Sequence, residues 1–232
     1  NNCVFGVLLG NPGTGKTTNI LNLFSSQFCR GLWSKHYLIG ASLAHDPTLQ
    51  PIIDHYHGSA FEHFDDSLLK SIVEGNLQAH EDEKNNICII VDDALSLGKK
   101  LEKSVYLGRL SGSHRHWLSS KNHPGCVLLG SQKFAGYGGF PTAMRACVNV
   151  LIIFKVNYQQ IKYIIESYGS LFGGDDNLES IIKYCLSKPY NSCNIYLDGN
   201  GETNQPIIYS GWSQQIYPSA LFPEKDLFKV ND

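Results

Sequence analysis

The 232-residue sequence lacks the features that mark several protein classes. No apolar stretch approaches the roughly 20 consecutive residues that a membrane-spanning helix needs, so we expect no membrane span. The charges nearly cancel, with 19 Lys+Arg against 21 Asp+Glu, which removes gross positive charge as a basis for binding nucleic acid. Internal repeats and low-complexity tracts are also absent. Any site for a polyanion is therefore expected to be local.

The seven cysteines contain no C-x-x-C pair, and their number is odd. Cys88, Cys126 and Cys147 lie inside or beside apolar, strand-like runs. Cysteines in such positions behave as small buried hydrophobic residues. We therefore expect a reducing compartment and no disulfide framework.

The composition, with 42% hydrophobic and 17% charged residues, is that of an ordinary globular protein. Strand-like runs alternate with helical patterns, which predicts an α/β fold with a mostly parallel sheet and helices on both faces. The predicted strands are Cys3–Leu9, His36–Gly40, Ile87–Val91, Cys126–Leu129 and Val148–Phe154. The predicted helices are Thr17–Phe28, Asp65–Ala79, Tyr158–Tyr168 and Asn177–Leu186.

The length is sufficient for one sizeable core with a small appendage. We expect residues 1–157 to form the α/β core. Residues 158–232 are expected to add C-terminal helices and a β-hairpin that pack on the same domain. The hairpin is predicted from Asn194–Leu197 and Pro206–Tyr209, which flank the turn-forming residues Asp198–Gly201.

A phosphate-binding motif follows the first predicted strand and opens the first predicted helix. Residues Gly10 to Thr17 satisfy the pattern G-x-x-x-x-G-K-[ST], in which glycines let backbone N–H groups approach a phosphate closely. Lys16 is expected to contact the β- and γ-phosphates, and the Thr17 hydroxyl is expected to bind Mg²⁺. The predicted nucleotide-binding residues are Gly10, Asn11, Pro12, Gly13, Thr14, Gly15, Lys16, Thr17 and Thr18.

Two carboxylates directly follow the apolar, β-branched strand Ile87–Val91. Mg²⁺ prefers oxygen ligands and usually keeps several waters, so Asp92 is expected to supply the metal carboxylate. Asp93 is placed to polarise an attacking water as a general base. It is also a suitable N-cap for a helix that starts near Ala94, and one side chain can serve both purposes.

Other P-loop families fit less well. A GTPase needs a base-reading N-K-x-D segment, which the sequence does not contain. A small-molecule kinase usually has an Arg-rich lid that closes over the phosphates, whereas the arginines here are scattered. A nucleoside or nucleotide kinase remains the main enzymatic alternative. A nucleotide-regulated scaffold, which binds ATP without turnover, is the non-enzymatic alternative.

The order of the motifs resembles that of the FtsK–HerA superfamily, and within it most closely the DNA-packaging ATPases of poxviruses, other large DNA viruses and virophages. The resemblance covers about residues 3–170. It implies a RecA-like P-loop fold, in which residues 1–157 are the P-loop ATPase core, and an ATP-driven motor for double-stranded DNA. The segments that carry it are Gly10–Thr18, Ile87–Asp93, His114–His116, Val127–Gln132 and Arg145 with Asn149–Phe154.

This resemblance also implies roles for individual residues. Lys16 and Thr17 would be the Walker A residues, with ATP and Mg²⁺ as ligands. Asp92 would be the Walker B metal carboxylate. Asp93 would be the adjacent catalytic acid, at a position where many relatives have Glu. Gln132 would be the polar sensor that contacts the γ-phosphate or its water, and the alternative for it is a strand-end hydrogen bond to a loop.

Relatives of this kind work as rings in which a neighbouring subunit completes the site with an arginine. Arg145 and Arg115 are the candidates, with Arg145 preferred, and either is alternatively a surface ion-pair residue. The implied partners are non-sequence-specific double-stranded DNA, copies of the chain in a pentameric or hexameric ring, and capsid vertex or portal proteins. The implied location is the host cytoplasm or viral factory, or the virion itself.

A local excess of positive charge is the candidate surface for DNA. Ser96–His123 contains six basic residues against one acidic residue, whereas Glu62–Glu83 contains seven acidic residues against one basic. A packaging motor is expected to hold DNA through its phosphates, because it must move over any sequence. Alternatively, the basic segment pairs with the acidic segment of a neighbouring subunit during assembly.

Overall fold

Strands of one continuous sheet organise the chain. In a computed structural model, the structure describes residues 3–25, 32–41, 43, 46–55, 59–80, 82–94, 103–120, 123–199 and 205–217. Within these ranges the strands are β1 Val4–Leu9, β2 Lys35–Ile39, β3 Ala60–Phe61, β4 Ile87–Val91, β5 Cys126–Ser131, β6 Val150–Ile153, β7 Cys193–Tyr196, β8 Ile207–Ser210 and β9 Gln214–Tyr217. The helices are α1 Lys16–Ser25, α2 Gln50–His55, α3 Asp66–Gln78, α4 Val105–Trp117, α5 Thr142–Arg145, α6 Tyr158–Tyr168 and α7 Asp175–Cys185, with a 3₁₀ helix at Gly169–Phe172.

The strand order is β3-β2-β4-β5-β1-β6-β7-β8-β9. All pairs from β3 to β6 are parallel, and all pairs from β6 to β9 are antiparallel. The predicted parallel sheet with a C-terminal helix and hairpin extension is thereby confirmed. The turn predicted at Asp198–Gly201 falls partly outside the described residues.

Helices cover both faces of the sheet, because the central strands are apolar on both sides. In β4, Ile89 and Val91 face a core formed with α3, α4, α6 and α7, whereas Cys88 and Ile90 face the core formed with α1 and α2. All five β4 residues are buried. This double burial explains why the strand reads as an unbroken β-branched run without alternation.

Helices α3 and α4 of the chain pack side by side. The Asp66 carboxylate accepts hydrogen bonds from the Ser104 hydroxyl and from the backbone N–H groups of Val105 and Tyr106, at the N-terminus of α4. The Tyr106 hydroxyl donates to Glu74 on α3 at 2.6 Å. Part of the acidic segment therefore already contacts the basic segment of its own chain.

His114 is buried on α4, with its ring centroid 5.7 Å from that of Phe5. Burial lowers the pKa of His114, although its hydrogen bond with the Leu110 carbonyl acts in the opposite direction. The neutral ring is therefore part of the core. None of the helices in the described ranges combines the length and the apolar character needed to cross a bilayer.

The pH dependence of stability is expected to report this buried ring. The unfolded chain protonates His114 near its ordinary pKa of about 6.5, whereas the folded protein resists protonation. Its contribution is thus fully present above about pH 6.5 and is lost as the pH falls towards the lower, folded-state pKa. Between these two values the free energy of unfolding should fall by up to about 1.4 kcal/mol per pH unit, as measured by urea denaturation.

Two variants test whether His114 causes this pH dependence. His114→Gln should flatten the acidic limb of the stability profile. His116→Gln, which alters an exposed histidine on the same helix, should leave that limb unchanged. An equally steep limb in the His114 variant would contradict the assignment.

Candidate active site

The carboxyl ends of the parallel strands meet at one edge of the sheet, which is where open α/β sheets bind ligands. The glycine-rich loop follows β1, Asp92 and Asp93 follow β4, and Gln132 follows β5. These segments surround a cavity of about 500 Å³. Its described lining residues are Pro12, Gly13, Gly15, Lys16, Thr17, Thr18, Asp46, Thr48, Asp92, Asp93, Gln132 and Tyr190.

The loop between β1 and α1 has the backbone that a phosphate cradle needs. Gly13 and Gly15 have φ values of +72° and +103°, in the region that favours glycine. A side chain at Gly13 would meet no atom within 4 Å, so that position opens directly onto the cavity. The Asn11 N–H donates to the carbonyl of Lys155, after β6, at 3.0 Å, and this bond ties the loop to the neighbouring strand.

Lys16 lies beneath the loop, in the first turn of α1. Its ammonium group donates to the carbonyls of Gly10 and Asn11 at 2.7 and 3.1 Å. Burial lowers the pKa of Lys16, and the negative charges of Asp92 and Asp93 partly offset that effect. Lys16 from the motif and the two carboxylates that follow β4 therefore lie at the same cavity.

Asp92 is the most enclosed of these groups, with only 4% of its surface exposed. A glycine on one neighbouring strand and a glycine directly after the other leave room for its side chain. A Cβ at Gly130 of β5 would lie 2.8 Å from Asp92 Oδ1, and a Cβ at Gly40, after β2, would lie 3.3 Å from Asp92 Cβ. Burial raises the pKa of Asp92, whereas the Asp93 N–H, which donates to Oδ1 at 3.0 Å, and the Lys16 charge lower it.

Asp93 is half-buried and has a φ of +48°, an uncommon backbone conformation outside glycine that Asp adopts more readily than most residues. Such conformations concentrate at functional sites, where the surrounding structure holds them. The turn directs the Asp93 N–H at Asp92 and places Asp93 among the cavity-lining residues. The alternative N-cap role concerns a helix after Ala94, and residues 95–102 lie outside the described residues.

Three lining residues were not predicted from the sequence. Asp46 follows β2, and its negative charge contributes to raising the pKa of Asp92. Its carboxylate accepts the Thr48 N–H at 2.9 Å, which fixes this segment at the cavity. Tyr190 comes from the loop between α7 and β7. The position of Asp46 after a predicted strand was the available signal, but the sequence does not reveal that β2 lies beside β4.

The two arginines are not brought to this cavity within one chain. Arg145 donates to the Phe140 carbonyl and the Thr142 hydroxyl, and its guanidinium carbon lies 5.7 Å from the centroid of the Phe134 ring. Arg115 is exposed in the last turn of α4. The adjoining Leu118 carbonyl accepts from Ile87, where β4 begins, so Arg115 lies towards the sheet edge opposite Asp92.

The donor set fits a Mg²⁺ ion bound with its waters. Thr17 and Asp92, one hydroxyl and one carboxylate, line the same cavity. Mg²⁺ sites in phosphate-handling proteins use one or two carboxylates and fill the remaining positions with water and phosphate oxygens. In the described ranges, no group of three or more His, Cys, Asp or Glu side chains forms a fully protein-ligated metal site.

No protein-family profile and no curated protein matches the sequence. Several solved structures do match. The genome packaging NTPase B204 of Sulfolobus turreted icosahedral virus 2, in complex with AMP, has a TM-score of 0.61 at 14% identity, over 91% of this chain and 98% of that chain. The DNA-packaging ATPase B204 of Sulfolobus turreted icosahedral virus has a TM-score of 0.56 at 16% identity, over 89% and 96%.

A bacterial ATPase also matches. EccC from Thermomonospora curvata (ATPases 2 and 3) has a TM-score of 0.52 at 14% identity, over 84% of this chain and 36% of that chain. This chain has a P-loop NTPase fold. In these structures the P-loop NTPase fold is shared at only 14–16% sequence identity.

Proposed function

We propose that this chain is an ATPase that translocates double-stranded DNA and packages a viral genome into a preformed capsid. The observation that carries the proposal is the convergence of Lys16, Thr17, Asp92, Asp93 and Gln132 on one cavity at the carboxyl edge of the sheet. The fold likeness to genome-packaging NTPases supports the choice of DNA as the translocated polymer.

The chain's own groups suit binding of a triphosphate. Backbone N–H groups around Gly13 and Gly15, together with the N-terminus of α1, favour negative charge at the loop. Lys16 would neutralise charge on the β- and γ-phosphates. Thr17 and Asp92 would hold Mg²⁺, which when bound withdraws negative charge from the phosphate oxygens.

Hydrolysis requires a water that is positioned and activated beside the terminal phosphate. Asp93, fixed by its left-handed backbone and by its N–H bond to Asp92, would accept the proton of that water. Gln132, after the neighbouring strand β5, would orient the water or the γ-phosphate. Lys16 is close to both carboxylates and offsets part of their negative charge.

The proposal includes a homo-oligomeric ring, pentameric or hexameric, in which a neighbouring subunit supplies an arginine. An arginine finger is worth about 10³–10⁵ in rate, because it neutralises charge in the transition state. Arg145 is the preferred candidate and Arg115 the second. Because both lie away from their own cavity, either would have to act on the site of another subunit.

The proposed DNA surface is the basic segment Ser96–His123. Its described part includes α4, on which Arg109 and Arg115 are exposed. Positive side chains on a helix can contact phosphates without reading base edges, as movement over any sequence requires. Lys103, just before α4, is exposed as well, whereas Lys99, Lys100 and Lys121 lie outside the described residues.

ATP hydrolysis measured with and without duplex DNA tests this function. We expect release of free phosphate that increases several-fold with long duplex DNA of unrelated sequences, and that weakens as salt screens the phosphate contacts. The Lys16→Ala variant gives the background rate. Phosphate transfer to a nucleoside or nucleotide acceptor would favour a kinase instead, and nucleotide binding without turnover would favour a capsid scaffold.

A further inference from the structure

A second cavity, of about 360 Å³, adjoins the cavity of the candidate active site, which is called the phosphate cavity below. Gly13 and Tyr190 line both, so the two cavities meet at the glycine-rich loop. The second cavity is bounded on one side by Thr14 and Lys155 and on the other by the loop between α7 and β7. Leu186 and Pro189 give that loop an apolar surface.

The arrangement of the sheet determines which end of a nucleotide this second cavity would receive. Asp92 and Gln132 follow β4 and β5, on one side of β1, whereas Lys155 follows β6, on the other side. If the terminal phosphate lies towards Asp92, the nucleoside must extend over β6. The opposite direction would bring the base against three carboxylates, those of Asp46, Asp92 and Asp93.

Tyr190 has an unusual position at the junction of the two cavities. Its side chain is 81% exposed, and its φ of +57° is an outlier for a bulky residue. The next residue anchors the loop, because the Asn191 side-chain amide donates to the Cys185 carbonyl at 2.7 Å and to the Ser210 hydroxyl at 2.8 Å. An exposed aromatic ring is thus held on a fixed loop beside the phosphate cradle.

We propose that the second cavity is the nucleoside subsite and that Tyr190 stacks on the base of the bound nucleotide. The proposal rests on the proposed function, because it assigns the base end of the same ligand. Stacking suits an exposed aromatic side chain, since every nucleobase has a π-face. Recognition of the nucleotide would then involve the C-terminal part of the chain as well as the phosphate loop.

The test compares two probes that differ only in the nucleoside. Calorimetric titrations would use a non-hydrolysable ATP analogue and inorganic tripolyphosphate, each with Mg²⁺. Tyr190→Asn removes the ring but retains a residue that tolerates the left-handed backbone. We expect it to bind the ATP analogue about 10-fold more weakly and tripolyphosphate as the unchanged protein does. Tyr190→Phe should bind both probes normally.

Tyr137→Asn is the matched control, because Tyr137 is 97% exposed and lies outside the described lining of both cavities. It should leave both affinities unchanged. Undiminished binding of the ATP analogue by Tyr190→Asn would overturn the proposal, as would equal weakening of both probes. If the unchanged protein bound neither probe, the proposed function itself would fail. Normal tripolyphosphate binding also shows that the variant is folded.

Discussion

Replacing Lys16 with alanine is expected to reduce ATP hydrolysis by at least about 10²–10³-fold, the scale of losing one preorganised charge from a transition state. Lys16 is the cation of the cavity, close to Asp92 and Asp93, and its ammonium group already lies at the phosphate loop. Steady-state phosphate release measures the loss. The thermal midpoint should change little, because Lys16 is only partly buried.

Lys162→Ala is the control for this experiment, since Lys162 is an exposed lysine on α6 whose ammonium lies 5.3 Å from the Tyr158 ring centroid. It should hydrolyse ATP normally. Retained turnover in Lys16→Ala would remove the proposed phosphate site. Mixing Lys16→Ala and Arg145→Ala subunits extends the experiment, because a finger that acts between subunits predicts recovered or altered turnover in mixed rings.

Replacing each of the two adjacent carboxylates by asparagine is expected to affect a different step, nucleotide binding for Asp92 and hydrolysis for Asp93. Asp92→Asn should weaken Mg²⁺-dependent nucleotide binding, because it removes the metal carboxylate. Asp93→Asn should bind nucleotide normally but hydrolyse it about 10²–10⁴-fold more slowly, the usual contribution of a general base. Asparagine tolerates the left-handed backbone at position 93, so the turn is expected to persist. Nucleotide titrations and single-turnover rates separate the two effects.

Asp176→Asn, an exposed carboxylate in the first turn of α7, is the matched control. If Asp93→Asn hydrolysed ATP at the normal rate, the assignment of the base would be wrong. Among the described residues that line the cavity, Asp46 is the remaining carboxylate. Its position after β2 would then make it the group to test.

Local patterns in the sequence predict the central elements well. Both ends of β4 were predicted correctly. Burial on both faces requires an unbroken apolar run, and that run ends where the charged residue Asp92 begins. The phosphate loop was predicted because its glycine spacing reflects backbone geometry directly. In both cases the physical constraint acts on neighbouring residues.

Elements that depend on distant partners were not predicted. Helix α4 contains Gly108 and Gly112, which disfavour a helix. Ser104 caps it locally, but Asp66 from another helix accepts the N–H groups of Val105 and Tyr106. Strand β9 is short and occupies the edge of the antiparallel extension. Asp46 and Tyr190 approach the cavity only through the strand order and the loop before β7. An arginine that acts on the site of another subunit cannot be identified from the fold of a single chain.

The glycines at positions 40 and 130 have a consequence for how this protein can vary. A Cβ at position 130 would lie 2.8 Å from Asp92 Oδ1, and a Cβ at position 40 would lie 3.3 Å from the Cβ and the carbonyl oxygen of Asp92. We therefore expect substitutions at these two positions to disturb Asp92 although neither position lines the cavity among the described residues. The space that these two glycines leave open is therefore as much a part of the Asp92 site as the carboxylate itself.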